Sequence, residues 1–252
     1  MINEEKEKLV SSKCVVLVGS SRGIGEAIAR KYKREGFKTI MMARRIRDYQ
    51  PDTFIRLDIE DTASISSAME DLKQNLKNSE YKEVAYHFLT GGSLQIESGS
   101  LNKDKMINIS WHNLIFPFWA TELIIQKIAK NMSSQSIFNY YSSAAAENKQ
   151  THPIYSASKL GLETAFKKLV KTYGCEHYFV CFRMGIVEVE HKYFHQLMKS
   201  DKDARAKIIN ENIPSGYIAT PASIADMVFG SHHHKKVCNG MIADISGGNS
   251  WI

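Results

Sequence analysis

The chain lacks several features that would place it in whole classes of protein. No apolar run approaches the roughly 20 residues that a membrane-spanning helix needs, and residues 1–13 carry charges without the apolar core of a secretory signal. Cysteine is scarce, and its four scattered positions show neither a disulfide framework nor metal-ligand spacing. No linker divides the 252 residues. We therefore expect one cytoplasmic domain spanning 1–252, with free thiols and no membrane partner.

The balance of charge is moderately basic. Lys and Arg number 33 against 27 Asp and Glu, while the hydrophobic share of 43% and the charged share of 24% are ordinary. Such an excess fits either a nucleic-acid surface or a phosphate-bearing small ligand. Because the basic residues are spread widely, we expect a small ligand and no nucleic acid. Lys167, Lys168 and Lys171 are predicted to lie on a solvated helix face, and the histidine-rich segment 232–236 in a surface loop without metal.

Apolar runs alternate with stretches of helical period along the chain. The predicted strands are 14–18, 39–43, 54–58, 84–89, 137–141, 178–182 and 240–245, with helices at 26–32, 65–76, 111–129 and around 155–166. The first run is wholly apolar, as in a strand buried on both faces of a parallel sheet. Pro117 is expected to delay or bend the third helix, because proline lacks an N–H donor. The alternation predicts an α/β fold with a doubly wound, seven-stranded parallel sheet flanked by helices.

A glycine-rich turn joins the first strand to the first helix. It reads Gly19-Ser20-Ser21-Arg22-Gly23-Ile24-Gly25. Glycines permit a tight turn and a close approach to the backbone, while free N–H groups at a helix start favour a diphosphate. The turn therefore predicts a dinucleotide cofactor. Arg22 and Arg44, the latter after the second strand, supply cations that favour NADP(H) over NAD(H).

Tyr155 and Lys159 stand four residues apart, which puts them on one face of a helix. A cation beside a phenol favours the phenolate and lowers the pKa of the tyrosine. Tyr155 is therefore a candidate general acid/base.

With these features in this order, the chain resembles the short-chain dehydrogenase/reductase family from about residue 13 to 252, and its 3-oxoacyl carrier-protein reductases in particular. The features that carry the resemblance are Gly19-x-x-x-Gly23-x-Gly25, Asp58-Ile59, Asn113, Ser142-Ser143, Tyr155-x-x-x-Lys159 and Asp244-Ile245-Ser246-Gly247-Gly248. The resemblance implies a single-domain Rossmann fold and a nicotinamide cofactor. It also implies a homotetramer or homodimer. The apolar ending Ser250-Trp251-Ile252 fits a terminus that is buried in such an assembly or equally one that packs on its own subunit.

The resemblance implies a role for each residue of a catalytic set. Tyr155 exchanges a proton with the substrate oxygen, and Lys159 holds the nicotinamide ribose and tunes the tyrosine. A serine binds the substrate carbonyl, and Asn113 supports a water relay to the lysine. The family's gap of about thirteen residues to the tyrosine favours Ser142, whereas the local Ser-Ser-Ala-Ala pattern favours Ser143, which we choose.

The cofactor contacts implied by the resemblance follow the ends of the strands. They are Gly19, Ser21, Arg22, Gly23, Ile24, Gly25, Arg44, Asp58, Ile59, Thr90, Gly91, Gly92, Tyr155, Lys159, Gly185 and Ile186.

Three positions depart from the family pattern. Val18 replaces threonine, Leu89-Thr90-Gly91-Gly92 replaces Asn-Asn-Ala-Gly, and Met184 replaces proline. We expect Val18 and Leu89 to replace a polar contact by an apolar one. Without the proline, we expect a looser nicotinamide end of the site.

Together these patterns predict an NADPH-dependent carbonyl reductase that is reversible as an alcohol dehydrogenase. The substrate is a 3-oxoacyl thioester or a small ketone, with steroids and sugars left open, and residues 186–212 are predicted to form its lid through Tyr193, Phe194, Leu197 and Met198. The alternative is a catalytically weak NADP(H)-binding sensor or scaffold, which the altered strand ends favour.

Overall fold

A computed structural model of the protein describes residues 12–19, 21–47, 49–91, 101–144, 152–190 and 202–251. Within them, seven strands form one wholly parallel sheet in the order β3-β2-β1-β4-β5-β6-β7. The strands are β1 (Lys13–Val18), β2 (Lys38–Ala43), β3 (Thr53–Arg56), β4 (Glu83–Phe88), β5 (Gln135–Ser143), β6 (Tyr178–Met184) and β7 (Met241–Ile245). The predicted doubly wound sheet is confirmed, with strand ends displaced by a few residues.

Helices cover both faces of the sheet. They are α1 (Ile24–Arg34), α2 (Thr62–Lys77), α3 (Lys103–Ser110), α4 (Phe116–Lys127), α5 (Pro153–Tyr173), α6 (Lys202–Asn212), α7 (Pro221–His233) and α8 (Lys235–Cys238), with 3-10 turns at Ala129–Asn131 and Asn249–Trp251. One apolar cluster packs α2, α4 and α5 on one face, and a second packs α1 and α7 on the other. β1 is buried on both faces because its successive side chains enter opposite clusters.

The helix predicted at 111–129 begins earlier and is interrupted. α3 starts at Lys103 and continues into a π-helical turn, Trp111–Ile115, before α4. The N–H of Phe116 donates to the carbonyl of Trp111 in this wider turn. Pro117 occupies the first turn of α4, where its missing donor interrupts the ladder without ending the helix.

The prediction of a surface loop at 232–236 is wrong. His232 lies in the last turn of α7 and is only 4% exposed. Its Nδ1 lies 3.2 Å from the Tyr32 hydroxyl, and its Nε2 lies 2.8 Å from Oε1 of Glu83. Lys235 forms an ion pair with the same carboxylate. The histidine is therefore part of a buried polar network, because a tertiary partner 149 residues away draws it inward.

Candidate active site

The predicted site residues gather at the carboxyl edge of the sheet. β1 and β4 are neighbours there although they are not consecutive, so the chain leaves the edge in opposite directions on either side of them. In open α/β sheets, ligands bind in the crevice at such a switch point. Gly19 follows β1, Thr90 and Gly91 follow β4, and α1 begins at Ile24 with its amino end at this edge.

Gly19 allows the chain to pass very close to the segment after β4. Its φ is +91°, and a Cβ atom there would lie 2.8 Å from the Cα of Thr90. Its N–H donates to the carbonyl of Met42, 2.8 Å away on β2. The first glycine of the turn is thus required both for its left-handed backbone and for space. Gly23 also has a positive φ, +61°, and faces Val189.

Tyr155 and Ser143 meet at the end of β5. Tyr155 lies in the first turn of α5, and the hydroxyl of Ser143 hydrogen-bonds to it. Burial raises the pKa of Tyr155, and the bond from Ser143 partly opposes that rise. Ser142 faces away, within 3.4 Å of the backbone carbonyl of Lys159. This placement favours Ser143 over Ser142 as the residue beside the phenol.

Lys159 is buried behind the tyrosine. Its Nζ donates to the carbonyl of Tyr141 at 2.8 Å and lies 5.7 Å from the centroid of the Tyr155 ring. Burial lowers the pKa of Lys159 to about 8. The sequence predicted that this cation would lower the pKa of Tyr155, but the observed direction is upward. The reason is that the phenol is itself removed from water, which disfavours its charged form.

Asn113 lies inside the π-helical turn and is 1% exposed. Its Nδ2 donates to the carbonyl of Ile109 at 2.9 Å, while its Oδ1 is buried and has no partner among the described residues. A Cβ on Gly91 would lie 3.2 Å from that Oδ1 and 3.3 Å from Nζ of Lys159. Gly91 therefore lies close to one acceptor and one cationic donor, where a larger side chain would be crowded.

The ends of β2 and β3 form the side of the crevice where the sequence predicts the adenosine to bind. Arg44 directly follows β2, and Asp58 and Ile59 follow β3. The N–H of Asp58 donates to the hydroxyl of Ser64 at 2.9 Å, which fixes the loop to α2. Arg22 and Arg44 are exposed and follow neighbouring strands at the same edge.

The contact expected between the side chains of Val18 and Leu89 is only partly present. The N–H of Leu89 donates to the carbonyl of Val18 at 2.8 Å, so the backbones are adjacent. Their side chains, however, join opposite apolar clusters, Val18 with α2 and Leu89 with α1. Val18 pairs with Phe88, so Leu89, one residue later, points to the opposite face of the sheet. The two strand ends therefore stay adjacent through their backbones and not through the expected side-chain contact.

The looser nicotinamide end expected from Met184 stays a prediction, and the backbone at this residue is hydrogen-bonded within the sheet. Met184 is the last residue of β6 and pairs with Ser143 on β5 and Ile245 on β7. Its carbonyl accepts from the N–H of Ala144 at 2.8 Å. Pairing on both sides thus holds the backbone that proline would hold in the family. Gly185 follows directly, and a Cβ there would lie 2.5 Å from the carbonyl oxygen of Ser246.

Only part of the predicted lid belongs to the described residues. Ile186 packs with Ile213 and Ile218 in a small apolar cluster, and Glu188 forms a 3.6 Å ion pair with Arg205 of α6. Gly92 and the predicted lid residues Tyr193, Phe194, Leu197 and Met198 lie outside the described residues.

Two polar residues beside the site were missed by sequence reasoning. Oε1 of Glu60 lies 2.9 Å from Nδ2 of Asn108 and 2.9 Å from Nε2 of His112. Each stands next to a predicted site residue, Glu60 after Ile59 and His112 before Asn113. That adjacency was the available signal, but their pairing across 52 positions could not be read from it.

The described residues show no sign of a metal site or a membrane span. In the part of the chain that the structure describes, no three His, Cys, Asp or Glu side chains are grouped to hold a metal ion. None of the described helices is long and apolar enough for a membrane span. The four cysteines are free thiols.

Comparison with known proteins gives a family and a set of structural relatives. An uncharacterised oxidoreductase of Staphylococcus epidermidis is 28% identical over 173 residues, covering 64% of this chain and 72% of that protein. Ligand-free aldohexose dehydrogenase of Thermoplasma acidophilum has a TM-score of 0.75 at 20% identity, covering 95% of both chains. 4-Hydroxyisoleucine dehydrogenase complexed with NADH has a TM-score of 0.77 at 16% identity, covering 94% of this chain and 98% of its own.

A ketoreductase gives a similar result. A variant of actinorhodin polyketide ketoreductase with NADPH has a TM-score of 0.73 at 17% identity, covering 96% of this chain and 99% of its own. At such identities the structural likeness shows a shared fold. The sequence profile described as short chain dehydrogenase, however, matches residues 13–192, which is most of the chain. The protein therefore belongs to the short-chain dehydrogenase family.

Proposed function

We propose that the protein is an NADPH-dependent carbonyl reductase, reversible as an alcohol dehydrogenase. The observation that carries the proposal is the convergence of Tyr155, Ser143, Lys159 and Asn113 at the carboxyl edge of the sheet, beside the crevice between β1 and β4. Family membership supports the general conclusion that the protein is an oxidoreductase acting on an alcohol or carbonyl. The preference for NADPH, the substrate class and the role of each residue belong to the proposal.

The polar groups near Gly91 suit the sugar of a nicotinamide nucleotide. A ribose hydroxyl is both a donor and an acceptor, and Gly91 lies close to Nζ of Lys159 and to Oδ1 of Asn113, which has no partner among the described residues. The amino end of α1 and the close approach at Gly19 fit the diphosphate. Arg22 and Arg44 follow the two strands nearest the adenosine end, which supports a 2′-phosphate and thus NADP(H).

Tyr155 and Ser143 both act on the substrate oxygen, in different roles. Ser143 donates a hydrogen bond to the carbonyl oxygen, and Tyr155 delivers the proton that converts it into a hydroxyl. When bound, the reduced nicotinamide supplies the hydride for the carbonyl carbon. A raised pKa keeps Tyr155 protonated at neutral pH, so it is ready to act as an acid. The nearby positive charge of Lys159 stabilises the phenolate left behind.

The substrate class we propose is a 3-oxoacyl thioester or a small ketone. The basis is the resemblance to 3-oxoacyl carrier-protein reductases together with the excess of basic residues, which suits an acidic carrier. The partly described segment 186–212 is the proposed lid. The relatives include enzymes named for an aldohexose, for hydroxyisoleucine and for a polyketide, so the fold itself accepts varied alcohols and ketones.

We also propose a homotetramer or homodimer. Ile107 on α3, Ile115 in the π-helical turn and Leu160 on α5 are exposed at 52%, 43% and 38%, and burial against a second copy removes such surface from water. The cytoplasmic location and the lack of a nucleic-acid partner stay predictions.

The decisive test is oxidation of NADPH and NADH, followed by near-ultraviolet absorbance, with ketones, 3-oxoacyl thioesters and quinones as substrates. Turnover with NADPH is expected to fall at least about a hundredfold in Tyr155→Phe, because the proton donor is removed with little change in packing. Tyr173→Phe is the matched control at the far end of α5, where the hydroxyl donates to Glu122 outside the site.

Two results would contradict the proposal. Near-normal turnover of Tyr155→Phe would remove the tyrosine from the mechanism. Tight NADPH binding without turnover of any substrate would favour the sensor or scaffold, which the changed residues Val18, Leu89 and Met184 had favoured.

A further inference from the structure

Glu60 joins the loop after β3 to the helical segment that carries Asn113. Its Oε1 accepts from Nδ2 of Asn108 at 2.9 Å and from Nε2 of His112 at 2.9 Å. One residue earlier, the carbonyl of Ile59 accepts from the indole N–H of Trp111 at 2.7 Å. Three hydrogen bonds therefore tie residues 59–60 to α3 and the π-helical turn, across about fifty positions of sequence.

His112 connects this attachment to the segment after β4. Its carbonyl accepts from the hydroxyl of Thr90 at 2.9 Å. That carbonyl does not accept a hydrogen bond from the helix backbone, and the reason is local. In an α-helix it would accept from the N–H of Phe116, which is turned to Trp111, and in a π-helix from residue 117, which is proline. The irregular turn thus creates the acceptor that binds the chain beside Gly91.

The side chain and the backbone of His112 lead to different parts of the proposed cofactor crevice. Its ring binds Glu60 next to Asp58 and Ile59, which are predicted cofactor contacts, and its backbone leads directly to Asn113. Hydrogen bonds from Asn108 and His112 hold the pKa of Glu60 below its usual range, with a smaller contribution from the charge of Arg44. The carboxylate is therefore ionised, and it lies within the field of the arginine proposed to bind the 2′-phosphate.

We propose that Glu60 and His112 are positioning residues that couple occupancy of the adenosine end to the placement of Asn113 beside Lys159. This inference rests on the proposed function, because it concerns the same cofactor site. The physical link is contiguous: residues 58–60, the Glu60–His112 bond, the π-helical turn and Gly91. Binding that fixes the loop thereby restricts the turn that holds Asn113.

Hydrogen–deuterium exchange with NADP+ tests the coupling without relying on turnover. In the wild type, NADP+ is expected to slow amide exchange both in 57–61 and in 111–116. In Glu60→Ala the first segment is still protected, but protection of the second falls to less than half. Glu70→Ala is the matched control, because that exposed glutamate bonds along its own helix to Gln74 and Lys73. Equal protection of both segments in Glu60→Ala overturns the inference.

A conservative variant separates positioning from loss of fold. Both donors bind the same oxygen of Glu60, so the carbonyl of Gln can replace it. Glu60→Gln is therefore expected to keep the protection of 111–116 and to stay within about twofold of wild-type kcat. Glu60→Ala should lower kcat about tenfold, with KM for the carbonyl substrate little changed. A Gln variant as impaired as the Ala variant contradicts the hydrogen-bonding role.

A double-substitution cycle tests whether the effect passes through Asn113. Glu60→Ala should slow the wild type about tenfold but an Asn113→Ala background less than about twofold, because the residue being positioned is already gone. Full additivity overturns the coupling. If the wild type shows no protection and no fluorescence change with NADP(H), the proposed function itself fails, and the coupling fails with it. That result is distinct from normal binding with an unaffected Glu60→Ala.

Discussion

At the scale of single residues, Lys159 is a cation buried in the candidate site. It is 6% exposed, and burial lowers its pKa from 10.5 to about 8. Its Nζ donates to a neutral carbonyl, that of Tyr141, and no carboxylate among the described residues forms an ion pair with it. A cation held this way is poised to accept a polar partner, which matches its proposed contact with a ribose hydroxyl.

The pKa of Lys159 predicts an alkaline limit to activity. The ammonium is charged below pH 8 and is lost as the pH rises through about 8. The value of kcat/KM for NADPH, which reports the free enzyme, should therefore fall about tenfold by one pH unit above that value. Because burial raises the pKa of Tyr155, its ionisation does not explain the fall.

The control for this pH profile is Lys168→Met, which removes an exposed lysine from the same helix. It should keep the same alkaline limb. A rate that stays level from pH 7 to pH 10 in the wild type would show that Lys159 keeps its proton, contrary to its burial.

At the scale of elements, helix α5, which carries Tyr155 and Lys159, is fixed to the sheet by a buried ion pair. Glu163 lies one turn after Lys159, and its carboxylate accepts two bonds from Arg183 of β6, at 3.0 and 2.6 Å. The two side chains are 7% and 17% exposed. Such a pair fixes the rotation of α5, and hence the direction in which Tyr155 and Lys159 point.

Removing one partner of this pair leaves the other charge buried. Glu163→Leu and Arg183→Met should each lower the free energy of unfolding by about 3 kcal/mol, while the double variant recovers most of that loss. Urea unfolding of the four proteins measures the difference. Additive losses in the double variant would show that the two charges do not compensate each other.

The helical elements also show where local sequence reasoning stops. The apolar period placed helices at 65–76 and around Tyr155 correctly, because those periods reflect one buried face. The helix at 111–129 was placed too late, since α3 is polar and mostly exposed and so has little apolar period. The π-helical turn had no local signal besides Pro117, because it is stabilised by Thr90 from another segment.

At the scale of the whole molecule, polar groups lie in the centre of the fold. His87 of β4 is fully buried, with its Nδ1 2.7 Å from the hydroxyl of Tyr141 on β5. Its ring packs 5.1 Å from that of Tyr32 on α1, whose hydroxyl faces His232 on α7. Burial, and then the charge of His232, lowers the pKa of His87 to about 3. The stability of the whole domain is therefore linked to pH.

The lowered pKa of His87 determines how the free energy of unfolding changes with pH. Between about pH 6.5 and pH 3 the unfolded chain binds a proton at His87 and the folded chain does not. Stability falls as the pH drops through that window, by about 3 kcal/mol from pH 7 to pH 4.5 for this group. Urea unfolding at these two pH values should show a smaller fall in His87→Gln.

His234→Gln is the control, because that histidine is exposed at the end of α7. It should show the full acid loss of the wild type. If His87→Gln loses as much stability as the wild type, His87 is not the group that titrates.

The sequence by itself determined the sheet, the glycine turn and the order of site residues along the strand ends. These follow from local rules: burial of apolar runs, the backbone freedom of glycine and the spacing of Tyr155 and Lys159 on one helix face. Only the tertiary structure decided the partners. It placed Ser143 on the phenol, raised the pKa of Tyr155, buried His232 and brought Glu60 to His112. Desolvation and long-range hydrogen bonds depend on what the rest of the chain packs around a group, which no local pattern specifies.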